Sequence, residues 1–135
     1  NGKDVAGITE TTEKNVAEVD FNGKANTAAI IAAYTEHAVE MDSRDMCKVL
    51  QDLNAAEDAD WYVPSAGQLT QIYLNKTAIN EALTAIGGTA YAGAIYWSSS
   101  ECDTDKGWFV YFGDGGDDRY YKNFDFLVRF VRDIE

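Results

Sequence analysis

The stretch Trp108-Phe109-Val110-Tyr111-Phe112 constrains the fold most. Trp108, Val110 and Phe112 recur with the two-residue period of a half-buried β-strand, and Phe109 and Tyr111 fall on the opposite face. A strand of this kind has one face anchored in a core and one face displayed. The segment that follows, Gly113 to Phe126, reads GDGGDDRYYKNFDF. It is too polar and too rich in Gly and Asp for a core, yet it carries Tyr120, Tyr121, Phe124 and Phe126. Rigid rings among small polar residues compose antibody binding loops. Ordinary turns covered by a ring have the same composition, and composition alone leaves both readings open.

Upstream the pattern changes. Residues 1–25 are rich in Thr, Glu and Gly, with apolar residues at Val5, Ile8, Val16, Val19 and Phe21, which predicts edge strands or an arm. Asn26 or Thr27 is expected to cap a helix carrying Ile30, Ile31, Tyr34 and Ala38. Its His37 has no Cys or His at metal-ligand spacing and reads as a solvated or helix-end residue. Ser43 can cap a second helix with Met46, Cys47, Val49, Leu50 and Leu53. Ser65 and Gln68 have capping-box spacing, so a helix should start there and bury Leu69, Ile72 and Tyr73. A further helical piece, Ile79 to Ile86, stops at Gly87-Gly88. From Tyr91 onward strands dominate, giving an α+β class with helices first and a β-rich C-terminal part. The 135 residues fit one domain. Trp61, Trp97 and Trp108 are expected in its core.

Several motifs follow one another in order: Asp60-Trp61-Tyr62-Val63-Pro64-Ser65 with Gln68-Leu69, then Tyr96-Trp97-Ser98-Ser99-Ser100-Glu101, then the Trp108/Val110/Phe112 alternation, Gly115, and Val128-Arg129-Phe130-Val131-Arg132. Over about residues 22 to 132 they resemble bacterial domains of the C-type-lectin-like fold. The pattern is most similar to the variable proteins of diversity-generating retroelements, whose C-terminal codons are rewritten at adenines. Rewriting of Asn-type codons yields residues such as Asp, Tyr, Phe, Ser, Gly and Arg but never Trp, Glu, Gln, Met or Lys. Between Tyr111 and Leu127 only Lys122 breaks that rule, and it matches a Lys the family keeps.

The resemblance implies a non-catalytic binding module displaying a diversified face. The residues expected on that face are Asp103, Thr104, Asp105, Phe109, Tyr111, Asp114, Asp117, Asp118, Arg119, Tyr120, Tyr121, Asn123, Phe124, Asp125 and Phe126. Tyr and Arg are the expected hot spots, since they combine large area with directed polar groups. Trp97, Trp108, Gly115, Lys122, Val128, Arg129, Val131 and Arg132 are expected to hold the frame, with Ser98, Ser99, Ser100 and Glu101 hydrogen-bonded inside it. The implied partner is a protein or glycan on a cell or phage surface, and the implied location is extracellular, at a cell surface or on a virion. An undiversified adhesin or appendage domain of the same fold is the alternative, and a hydrolase the third reading. The family also has a Cys at the place of Cys47 and begins to vary at Cys102. A bridge to a rewritten position would be lost, so two free thiols are expected.

Composition narrows the partners. With 11 basic and 23 acidic residues the formal charge is −12, which repels nucleic-acid phosphates and anionic membranes. No run of about 18 apolar residues predicts a membrane insertion, and no signal-peptide pattern is present. The chain begins at Asn1 without Met, which predicts a processed or trimmed N-terminus.

Catalytic and metal chemistry have little to build on. No Gly-x-Ser-x-Gly elbow surrounds Ser98, Ser99 and Ser100. Asp117 and Asp118 are adjacent and point apart in an extended strand. The calcium signatures Glu-Pro-Asn, Gln-Pro-Asp and Trp-Asn-Asp are missing, the sole proline is Pro64, and Asp114, Asp117 and Asp118 lack an EF-hand register. No metal and no cofactor are expected.

Overall fold

The computed structural model describes residues 9–36 and 46–133. The expectations on Val5, Ile8, His37, Ala38 and the Ser43 cap lie outside the described residues. Among the described residues five helices precede three strands: α1 (Lys14–Ala17), α2 (Gly23–Glu36), α3 (Met46–Glu57), α4 (Ala66–Leu74), α5 (Lys76–Ala85), β1 (Ile95–Glu101), β2 (Lys106–Tyr111) and β3 (Asp117–Tyr121). The order is the expected α+β arrangement.

Local chemistry sets several boundaries. Ser65 is extended at the start of α4 and closes the expected capping box. Its N–H donates to Gln68 Oε1 at 3.0 Å and its Oγ accepts the Gln68 N–H. Leu69 is fully buried, while Ile72 and Tyr73 are half-buried against the same core. α5 ends as expected, with Gly87 N–H on the Thr84 carbonyl and Gly88 N–H on the Leu83 carbonyl.

Two expectations are corrected at the N-terminal end. Residues 14–17 form a helical turn rather than a strand; the turn buries Ala17, while Val16 and Val19 stand exposed. Among the described residues of this end, strand-like pairing is confined to Glu10, which bridges Glu101 in parallel. α2 begins at Gly23, ahead of Asn26 and Thr27, whose side chains are spent on tertiary bonds. Asn26 takes the Thr9 N–H at 2.9 Å, and the Thr27 hydroxyl donates to the Gly23 carbonyl and accepts the Val63 N–H.

The sheet runs β1-β2-β3, all antiparallel. Tyr96 lies opposite Val110 and Trp97 opposite Phe109, and the register slips before Glu101, which faces Gly107. Across β2 and β3, Trp108 opposes Arg119, Phe109 opposes Asp118 and Val110 opposes Asp117. Opposed side chains share a face. One face is therefore Tyr96, Trp108, Val110 and Asp117, and the other is Trp97, Phe109, Asp118 and Tyr120.

The first face is closed by α4 and α5. Leu69, Tyr91, Tyr96, Val110 and Phe112 form the core, with Ile72, Tyr73, Ile79 and Leu83 packed on it. The Phe112 ring stacks on Tyr91 at 5.1 Å and meets Tyr96 at 4.9 Å and Tyr73 edge-on at 5.5 Å. Burying a side chain of this size stabilises by roughly 1.5–3 kcal/mol. Trp108 joins Ala17, Ala66 and Cys102 in a second cluster and donates its indole N–H to the Thr11 carbonyl at 2.8 Å.

The C-terminal segment returns across the start of α4. Tyr62 and Val131 exchange backbone bonds at 2.7 and 2.9 Å, and Leu127 bridges Tyr96. The Tyr62 hydroxyl donates to Asp133 at 2.7 Å, and burial together with that carboxylate pushes it up to about 12. Arg129 lies over the Tyr91 ring and Arg132 over Trp61, so the Val-Arg pairs hold the frame as expected.

Candidate binding face

The serine motif serves the frame, with the Ser99 hydroxyl the exception to the expected bonding: it is buried with no hydrogen-bond partner. Ser98 Oγ donates to the Trp108 carbonyl at 2.7 Å, and Ser99 N–H donates to the Pro64 carbonyl at 2.9 Å. Ser100 Oγ donates to Asp20 Oδ2 at 2.6 Å and accepts the Ala66 N–H at 2.9 Å. Asp20 is buried at the centre of this network. Its carboxylate also accepts Thr9 Oγ1, the Asn22 N–H and the Asn26 amide, and its carbonyl accepts Ser65 Oγ and the Gly67 N–H. Nothing in the local pattern singled out Asp20; an acid two residues before an Asn-Gly pair reads as an ordinary turn. Glu101 is buried and ion-paired to Lys122, whose ammonium also reaches the Thr104 carbonyl at 3.0 Å. Lys122 thus locks the β1–β2 loop to the end of β3, the framing role expected of it.

Gly115 serves the frame through backbone shape. Its φ is +80°, and a Cβ there would lie 2.3 Å from the Tyr73 ring. Only glycine lets the β2–β3 turn close over that ring.

On the opposite side of the sheet the rings gather into one surface. Trp97 meets Phe126 at 4.8 Å and Phe109 at 6.4 Å, and Phe109 meets Phe126 at 5.4 Å. Phe126 then contacts Phe124 at 5.1 Å and Phe124 contacts Tyr120 at 4.9 Å, while Tyr121, turned toward the Trp108 side by its register opposite Lys106, meets the cluster only at the strand end, 5.7 Å from Tyr120. Trp97, Phe109 and Phe126 are half-buried and form the floor, while Tyr120, Tyr121 and Phe124 stand exposed by 41%, 51% and 50%. The pairs are mostly edge-to-face or tilted, the arrangement ring quadrupoles favour. Lys106 lies over Tyr121 at 5.0 Å at the rim.

Not every expected residue belongs to this surface. Asp117 is corrected: it is 7% exposed, because its register opposite Val110 turns it inward. There Oδ1 is 3.4 Å from Lys14 Nζ, and Oδ2 is buried with no hydrogen-bond partner. Beside it the Glu18 carboxyl is held above its ordinary range by the neighbouring Asp117 carboxylate and by burial. Arg119 also leaves the ring face. It lies 5.7 Å over Trp108 and donates to the Thr12 carbonyl at 3.0 Å. Asp103 and Asp114 brace turns: Asp103 accepts the Asp105 and Lys106 N–H groups, which hold it below the usual carboxylate range, and Asp114 accepts the Gly116 N–H. Tyr111 is exposed and folds over Gly113, apart from the ring cluster. Thr104 is half-buried, and Asp105, Asp118, Asn123 and Asp125 are exposed around the rings.

Trp61 and Trp97 are corrected as core residues. Trp61 is half-buried, its indole N–H donating to Glu57 Oε2 at 2.9 Å. Trp97 alternates with buried Tyr96, so it must face outward, and its indole N–H donates to the Phe124 carbonyl. Its ring lies over Gly107, where a Cβ would be 3.5 Å from it. Strict alternation through Tyr96-Trp97 was the signal that could have moved Trp97 from the core to the site.

Neither Cys47 nor Cys102 forms a disulfide, as expected; both are buried, and burial pushes the Cys102 thiol up. Among the described residues no three His, Cys, Asp or Glu side chains converge as a metal site, and no helix is long and apolar enough to cross a membrane.

No curated protein matches the chain. The fold is similar to a solved fimbrial protein from Bacteroides ovatus ATCC 8483, with a TM-score of 0.63 at 18% identity, over 84% of this chain and 24% of that one. The chain thus spans about a quarter of that protein, and the likeness is one of fold. Residues 9–132 match the Lcl C-terminal domain family, across the same frame motifs that carry the resemblance to bacterial variable domains. The chain therefore belongs to the Lcl C-terminal domain family.

Proposed function

We propose that this chain is a non-catalytic binding module of C-type-lectin-like architecture, exposed at a cell or virion surface, that uses the outer face of its sheet to hold a protein or glycan. One observation carries the reading: an exposed ring cluster, Tyr120, Tyr121 and Phe124, rests on a floor of Trp97, Phe109 and Phe126 fixed to a buried frame. Exposed contiguous rings on a rigid support are what hot spots are made of. The face is also suited to rewriting, since Asp118, Tyr120, Tyr121, Asn123, Phe124 and Asp125 are exposed. Diversification would be supported by a reverse transcriptase gene nearby and a second copy of the 3′ coding sequence differing at adenines.

The reading is tested by presenting the chain to protein and glycan arrays beside Tyr120→Ala and Phe124→Ala variants. A partner held by this face should lose roughly 1–3 kcal/mol of affinity with either change while the melt stays put. Partners retained equally by all three proteins would place binding elsewhere. A second reading, an undiversified module of a surface appendage, draws support from the fold shared with part of a fimbrial protein. It predicts no rewritten repeat and a partner from the same assembly.

A further inference from the structure

The ring face is bordered by acid rather than base. Asp118 lies beside Phe109 by register and Asp125 sits between Phe124 and Phe126 in sequence. Both are exposed, and among the described residues neither makes an ion pair. The nearby cations are already committed: Lys122 to Glu101, Arg119 to Thr12 and the Trp108 ring, and Lys106 to the Tyr121 ring. The whole chain carries −12.

We propose that this face takes a cationic partner, a protein surface presenting Arg or Lys side chains between the rings and the two carboxylates. The inference rests on the reading of this face as the binding surface and adds the chemistry of what it binds. Exposed rings attract a cation through their negative faces, and an exposed carboxylate beside them adds a charge partner; Asp118 accepts the Arg119 backbone N–H at 2.8 Å through Oδ1 and has no cation paired to it among the described residues. The molecule uses the first device repeatedly within itself, with Lys76 over Tyr73, Lys106 over Tyr121, Arg129 over Tyr91 and Arg132 over Trp61. A neutral glycan could stack on the rings and donate hydroxyls to the carboxylates, but it would leave their charge unpaired. An acidic partner would be repelled by them.

The test is an NMR titration of isotope-labelled protein with hexa-arginine, with hexa-glutamate and with maltohexaose. Hexa-arginine should move the resonances of Tyr120, Tyr121 and Phe124, and its binding should weaken as salt is raised. The double variant D118N/D125N should bind it about threefold to tenfold more weakly, as expected for two exposed charge pairs. Glu81→Gln, an exposed acid on α5, should leave binding unchanged. Shifts on the ring face from maltohexaose alone would overturn the cationic partner and leave the face itself standing. Hexa-arginine binding that loses as much in Glu81→Gln as in D118N/D125N, or that maps away from the rings, would overturn it as diffuse attraction to an acidic protein. Silence from every probe would overturn it too, whereas the binding-face reading would fall only if array partners ignored Tyr120→Ala and Phe124→Ala.

Discussion

The two faces of one strand behave as two different molecules. On the inner face of β2, Trp108 and Val110, with Phe112 just beyond, are 1%, 0% and 0% exposed, and each is surrounded by side chains from helices and loops distant in sequence. On the outer face, Phe109 is half-buried and Tyr111 is 40% exposed, and their neighbours come from the adjoining strands, turns and the segment after β3. The same backbone thus serves an interior that must fit and an exterior that has only to be supported. Interiors are packed like crystals, so volume changes there are felt, whereas exposed positions tolerate change.

The comparison breaks most visibly if neighbouring residues respond alike. Trp108→Ala should cost about 3–5 kcal/mol through the cavity it leaves, and Phe109→Ala only about 1 kcal/mol, as measured by denaturant unfolding. Equal losses would mean that the outer face is also core. Next in size is Lys122→Ala, which takes the ammonium away from buried Glu101 and should cost about 2 kcal/mol, less than a fully buried pair because Lys122 is partly exposed. Glu101→Gln combined with Lys122→Met should recover part of that loss.

Much of the inner face was legible in sequence, and the reason is that it obeys short-range rules. The Ser65/Gln68 capping box, the Gly87 stop and the Trp108/Val110/Phe112 alternation each need only a few neighbouring residues. What could not be read depends on distant pairing. Asp117 looks like the other loop aspartates until the β2–β3 register turns it opposite Val110. Asp20 becomes a hub only when Ser65 and Ser100 arrive from far along the chain. The membership of the site was half legible: Tyr120, Tyr121, Phe124 and Phe126 come together as the composition implied, but Trp97 joins them and Arg119 departs.

The aspartates sharpen the contrast at lower energy. Because the Glu18 carboxyl is raised in the native state, folding favours its proton. That contribution is present at acid pH and is lost as pH rises through the raised value. Glu18→Gln should flatten this part of the stability profile and add about 0.5 kcal/mol near neutrality by keeping a donor beside Asp117. The smallest effect is expected at the exposed rings, where Tyr120→Ala and Phe124→Ala should each shift stability by less than about 0.5 kcal/mol.

The central claim is that the outer face can be rewritten while the frame stays. It is tested most directly by surface display of a library randomised together at Asp118, Tyr120, Tyr121, Asn123, Phe124 and Asp125, scored by protease resistance. Most members should resist protease nearly as well as the parent, while a library at Trp108, Val110, Phe112 and Asp117 should be largely cleaved. If the two libraries lose resistance to the same extent, the outer residues are part of the fold and the displayed-face account is contradicted.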